Sequence, residues 1–106
     1  MIYVPITVIE HWHLKQEFAD TAFEVMQEMD DLLEDNAHDS PGWAGHARFF
    51  KLGSEPTRVM MIYAWETHAE HKRLLESETP LLSEFMSRYC TREREVEYAE
   101  ELPVDV

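Results

Sequence analysis

The stretch Val59-Met60-Met61-Ile62-Tyr63-Ala64-Trp65 is apolar at every position. It is too short to cross a bilayer and reads as a strand. Successive side chains of a strand point to opposite faces, so Val59, Met61, Tyr63 and Trp65 fill one face while Met60, Ile62 and Ala64 fill the other. An antiparallel sheet with one wet face alternates apolar with polar residues. This strand does not, so both its faces need cover. Two further segments share the property. From Ile2 to about His13, Ile2, Val4, Ile6 and Val8 lie on one side and Tyr3, Thr7 and Ile9 on the other. From Trp43 to Leu52, Trp43 and Phe49 oppose Phe50 and Leu52.

Between these strands the period changes. From Gln16 to about Asn36, Phe18, Ala22, Val25, Met26, Met29, Leu32 and Leu33 step by three and four, which predicts an amphipathic helix. His38-Asp39-Ser40-Pro41-Gly42 ends it. Gly53-Ser54-Glu55-Pro56 joins the second strand to a third, Thr57 to Glu66, as a hairpin. Thr67-His68-Ala69-Glu70 fits a capping box, in which the threonine oxygen and the glutamate each satisfy an orphan amide. It opens a helix through about Ser77 that Thr79-Pro80 restarts, with Leu81, Leu82, Phe85, Met86 and Tyr89 as its apolar side. The last extended segment, about Thr91 to Leu102, sets Glu93, Glu95 and Glu97 against Arg94, Val96 and Tyr98. A charged face of that kind suits an edge strand. The order β-α-β-β-α-β defines an α+β chain, a ferredoxin-like four-stranded antiparallel sheet with its second helix broken at Pro80.

Two helices in one layer cover one face of such a sheet. If about eight leftover side chains each gained ~1.5 kcal/mol on burial, the bare face would offer roughly 12 kcal/mol to a partner, before entropy and desolvation. A homodimer formed through the sheet face, with two-fold symmetry, is the simplest solution. The competing solutions are a ligand cavity against that face, or a strand register shifted by one residue.

Composition removes several classes of function. The 106 residues have room for one domain, residues 1–106. With 22 acidic and 9 basic residues the net charge is -13, which repels phosphate backbones and anionic lipid, so neither nucleic acid nor membrane is expected as a partner. No signal peptide is read at Met1-Ile2-Tyr3-Val4-Pro5. Cys90 is the only cysteine, so no internal disulfide can form, and a reducing cytoplasm is the expected compartment.

Three features resemble the antibiotic-biosynthesis monooxygenase family of the dimeric α/β-barrel superfamily. They are the opening strand running through Glu10-His11-Trp12-His13 into a long helix, the Gly42-Trp43 entry to a hairpin, and Val59 to Thr67 leading into a capped helix. The resemblance covers nearly the whole chain and implies a homodimeric barrel with a ligand cavity between each sheet and its own helices. Members include cofactor-independent oxygenases, haem-degrading enzymes and proteins of unknown activity. Haem-degrading members carry an asparagine late in the first strand, and a tryptophan and a haem-ligating histidine after the third. Here Glu10 to His13 contain no asparagine and no tryptophan follows Trp65, so a haem-degrading role is disfavoured. Many other members place a histidine near where Leu74 stands; His71 lies one turn upstream.

Oxygenation without a cofactor asks for a base that turns the substrate into an electron-rich anion, and for a dry aromatic pocket that orients the ring. Histidine suits the first task because it titrates near neutrality. Of the six histidines, His71, His11 and His46 are the leading catalytic candidates, with His13 a further one. Trp12, Phe49, Tyr63 and Trp65 are candidates for the substrate-binding wall. The ordinary reading of each histidine is a structural or exposed side chain, and of each aromatic, core packing. The expected function is therefore oxidation of a small hydrophobic or aromatic metabolite with no cofactor and no metal. The alternatives are a non-catalytic or isomerase/cyclase-type small-molecule-binding dimer, and a metal protein built on the His11-x-His13 pair with His46 or His71.

Overall fold

The computed structural model describes residues 4–105, so the expectations that fall on Ile2 and Tyr3 lie outside the described residues. The elements run β1 (Ile6–His13), a 3-10 segment (Gln16–Thr21), α1 (Ala22–Asp39), β2 (Arg48–Lys51), β3 (Arg58–Trp65), α2 (His68–Tyr89) and β4 (Glu95–Ala99). The sheet order is β2-β3-β1-β4 with every neighbouring pair antiparallel, which makes the fold ferredoxin-like α+β.

The register sets which side chains share a face. Val8 pairs with Tyr63 and Tyr98, Glu10 with Met61 and Val96, and Phe49 with Met61. Both helices pack on this face. One core cluster joins Trp12 and Val59 to Met26, Met29 and Leu33 of α1 and to Leu82, Phe85 and Tyr89 of α2. A second joins Val8, Tyr63 and Trp65 to Leu74. The opposite face carries Ile9, His11, Met60, Ile62, Ala64 and Phe50; Ile9, Met60 and Ile62 are half-buried and Phe50 is exposed. The two-sided apolar strands thus have their helices on one side only. Among the described residues no helix is long and apolar enough to cross a membrane.

Several boundaries differ from the sequence expectations. The first helix opens as 3-10 because no side chain caps its first turn at Lys15. The expected second strand, Trp43 to Leu52, narrows to four residues. Gly42 and Gly45 adopt positive φ and lift the chain off the sheet, leaving only an isolated bridge from Trp43 to Trp65. The capping threonine accepts from the Glu70 amide at 3.1 Å as expected, but its hydroxyl, not an amide, donates to the Glu70 carboxylate.

The break at Pro80 does not occur: α2 is one helix from His68 to Tyr89 with the proline inside it. A proline in a helix interior costs about 3 kcal/mol, through one lost hydrogen bond and a ring clash. Leu74, Leu82, Phe85 and Tyr89 lie on one buried stripe spanning both halves, at ~1.5–3 kcal/mol each, and together outweigh it. Ser77 and Thr79 hydroxyls donate to the Leu74 and Leu75 carbonyls beside the disturbed turn.

Candidate active site

The buried stripe of α2 is interrupted twice by polar groups. His71 is wholly buried and Glu78 nearly so, seven residues apart on the same helix face. Opposite them the sheet presents Glu10 from β1, Tyr63 from β3, and Arg94 and Tyr98 from the β4 segment. These side chains form one continuous string. Tyr63 Oη donates to Glu10 Oε2. Arg94 Nη1 donates to Glu10 Oε1 at 3.0 Å and lies 2.9 Å from Glu78 Oε1. His71 Nε2 is 2.5 Å from Tyr63 Oη, and its Nδ1 is 2.9 Å from Tyr98 Oη.

Hydrogen-bond accounting assigns the histidine tautomer. The Tyr63 proton goes to the carboxylate, so Tyr63 Oη accepts from His71 Nε2–H, and Nδ1 accepts from Tyr98. Burial, aided by the charges of Arg94 and His68, lowers the His71 pKa to about 4, so the ring is neutral at physiological pH. Burial also pushes the Tyr63 hydroxyl far up, with the Glu10 charge adding to it. Glu78 rises to about 7 through burial, with Glu10 adding and Arg94 opposing.

Glu78 therefore makes stability depend on pH. Its ordinary value is 4.5 and its folded value about 7. The folded chain carries no penalty below pH 4.5, a growing one as pH rises to about 7, and a constant one above that, on the order of 3 kcal/mol. His71 slopes the opposite way, but it is present in both proteins and cancels in a comparison. Glu78→Gln should match wild type near pH 4.5 and become more stable by up to about 3 kcal/mol at pH 7.5. Urea titrations at the two pH values test this, and a pH-independent difference would refute it.

Two hollows touch the network, and one of about 510 Å³ reaches it only at Arg94, where α2 meets Cys90 to Glu93. The smaller, of about 90 Å³, lies between sheet and helices, and its walls include Tyr63, Trp65, Trp43, His46, Glu78 and Arg94. A wider one of about 400 Å³ runs between α1 and β2 past Phe23, Met26, Phe49 and Lys51. It holds none of the buried string, and His46 and Ala47 border both.

The structure brings some of the residues named from sequence together and separates others. His71, Tyr63 and Trp65 converge: the His71 ring centroid is 5.5 Å from that of Tyr63 and 6.0 Å from that of Trp65. His71 reaches the cavity through Tyr63, since it is not itself in the wall. His46 sits at the rim, edge-on to Trp43 and His38. Phe49 borders the wider hollow. Trp12 lies in the core against Phe85, with the Arg94 guanidinium 5.3 Å from its ring centroid. His11 and His13 point to the opposite sheet face, where they meet Glu97 at 2.6 Å and Glu95 at 2.5 Å. They cannot share an ion with His71 of the same chain. Cys90 is buried, and burial pushes its thiol up to about 11, so it is inert.

Glu10, Glu78, Arg94 and Tyr98 were not among the sequence candidates. Strand parity held a signal for three of them: Glu10 shares its side with Trp12, and Arg94 and Tyr98 share theirs with Val96. Glu78 lies four residues from both Leu74 and Leu82 on the apolar stripe.

This fold is that of solved antibiotic-biosynthesis monooxygenase structures. Among them is a monooxygenase from the gene ActVA-Orf6 of Streptomyces coelicolor in complex with nanaomycin D, at TM-score 0.75 and 10% identity, covering 98% of this chain and 93% of that one. SnoaB, a cofactor-independent oxygenase from Streptomyces nogalater, matches at TM-score 0.64 and 13% identity over 94% and 97%. A Nitrosomonas europaea protein of unknown function matches at 0.69 and 12% over 98% and 95%. At these identities the likeness is one of fold. No family model and no curated protein matches the sequence.

Proposed function

We propose that this chain is a cofactor-independent monooxygenase for a small hydrophobic or aromatic metabolite, and that it works in the cytoplasm as a homodimer joined through the open sheet face. The observation that carries the reading is the aromatic-walled cavity that ends on a buried string of acids and bases. Its fold is one in which SnoaB is a cofactor-independent oxygenase. A phenol written Ar(H)OH illustrates the balance. Loss of its proton makes the ring electron-rich, and dioxygen attacks the para carbon. One oxygen atom stays as the new carbonyl of a quinone and the other leaves as water. The ring supplies four electrons, so no external reductant is needed.

In this reading Tyr63 and Trp65 orient the ring, and His71 is a positioning residue that fixes the Tyr63 hydroxyl. The test is oxygen uptake with electron-rich phenols in the presence of a chelator and without flavin or haem. Uptake above the protein-free rate, with quinone formed one for one, supports the proposal; blank rates across the panel defeat it.

Dimerisation has its own test. Ile9, Ile62, Met60 and Phe50 form an apolar patch on the sheet face that no helix covers. Light scattering is expected to return twice the 12.6 kDa chain mass. Ile62→Lys, which puts an unpaired charge in the middle of the patch, should return the single-chain mass with the fold retained. A wild-type monomer at micromolar concentration would end this part of the proposal.

A further inference from the structure

We propose that Glu78 is the catalytic base, taking the proton from a ring hydroxyl seated in the cavity while Arg94 stays beside the exchanged charge. The inference rests on the cavity's being an aromatic-metabolite site and adds the group that activates the substrate there. The hydroxyl end of a ring fills the cavity of about 90 Å³, and its body extends past His46 and Ala47 into the wider hollow.

Elimination among the groups that face the cavity leads to Glu78. Both oxygens of Glu10 are engaged, one by Tyr63 and one by Arg94. The Tyr63 hydroxyl is committed to Glu10, and both nitrogens of His71 are committed to tyrosines. From α1, Glu34 and His38 reach the wall but are exposed, and Asp30 is half-buried on the border with the wider hollow, away from Arg94 and the string. His46 packs against Trp43 at the rim.

Glu78 differs from all of these. It is 4% exposed and it lines the cavity. Its Oε1 is enclosed and paired with Arg94 Nη1 at 2.9 Å. Oε2 is neither enclosed in this way nor held by a protein donor, and it is the oxygen that a ring O–H in the cavity would meet.

The exchange is balanced. The O–H bond of the ring breaks and an O–H bond forms on Glu78, so a carboxylate and a phenol become a carboxylic acid and a phenolate. The cavity holds the same net charge before and after, and Arg94 faces it in both states. A carboxyl that titrates near 7 is matched to an acidic ring hydroxyl far better than an ordinary carboxyl is.

The test uses 2-naphthol, whose excited state gives up its proton to an adjacent acceptor, water included, and then emits at longer wavelength. The emission of free naphthol, which is the same at pH 5 and pH 8, is subtracted. Excited beyond tryptophan absorption, naphthol bound to wild type is expected to emit as naphtholate at pH 8 and as naphthol at pH 5, with a midpoint near 7. Glu78→Gln should emit as naphthol throughout, with the naphtholate-to-naphthol ratio at pH 8 lower by roughly tenfold or more. Unchanged affinity for 2-methoxynaphthalene, which has no proton to give, shows that the variant cavity is intact. If the variant does not fold, the wild-type pH switch alone decides. The proposal is overturned by equal emission in the two proteins, by no switch in wild type, or by no binding of 2-naphthol. An emission switch without oxygen uptake leaves Glu78 as a proton acceptor and removes the oxygenase reading. Oxygen uptake without a switch does the reverse.

Discussion

Replacing Arg94 with methionine is expected to destabilise the chain by about 3–5 kcal/mol at pH 7.5, the typical result of breaking a buried ion cluster on one side. The Arg94 side chain is only 10% exposed and faces two carboxylates, Glu10 and Glu78, from within 3.0 Å. Methionine matches the stem and keeps a contact to the Trp12 ring, but it leaves two buried acids facing each other with no cation. Both can then stay only by taking up protons, so the loss should shrink as pH is lowered. The triple change Arg94→Met, Glu10→Gln, Glu78→Gln should recover much of the stability, because neutral groups of similar volume do not need the cation. Urea denaturation of the single and triple variants is the measurement. A loss below about 1 kcal/mol for Arg94→Met would mean that the cluster is hydrated and contributes little. The same cluster also sets a trade-off: Glu78→Gln is expected to gain stability above pH 7 and to lose the proton-accepting group, as functional sites that store strain commonly do.

Side-chain parity made most of the fold readable. The period of two through Val59 to Trp65 and the mixed faces of the first strand placed Tyr63 and Trp65 on one side and Ile62 on the other, and the registers of β1 and β3 agree. What local pattern could not weigh was tertiary burial. Pro80 reads as a break because its cost is local, whereas the stripe that overrides it forms only against α1 and the sheet. The site divides in the same way. Histidine and aromatic residues draw notice by type, which is how His71, Tyr63 and Trp65 stood out. Glu10, Glu78 and Arg94 look like solvated charge in a chain with 22 acidic residues. Their burial becomes tolerable only when β4 brings Arg94 alongside both acids, a pairing between segments far apart in sequence. His11 had the same residue-type signal as His71, but its parity on β1 is opposite to that of Glu10 and Trp12, which sends it to the other face, against Glu97.

Gly42→Ala is expected to cost about 2–6 kcal/mol and to spoil the cavity with it, summing backbone strain and overpacking. Gly42 has φ +98, a left-handed conformation that favours glycine, and an added Cβ would stand 2.4 Å from Trp65 Nε1 and 2.8 Å from Trp65 Cδ1. Trp65 is 2% exposed, and the space its ring borders is the cavity, so a ring pushed aside fills the site. The Trp65 indole also donates to the Pro41 carbonyl at 3.1 Å, and the Glu66 amide donates to Gly42 O at 2.8 Å. The methyl group therefore strikes the ring that walls the cavity at the point where that ring is anchored. Gly45→Ala is the control: its φ of +141 brings strain, but nothing lies within 4 Å of the added carbon. Gly45→Ala should thus lose stability by backbone strain alone, about 1–3 kcal/mol. Gly42→Ala should lose more stability and also weaken the affinity for 2-methoxynaphthalene relative to wild type. Equal losses in the two variants would show that Trp65 yields freely and that the Gly42 approach does not shape the site.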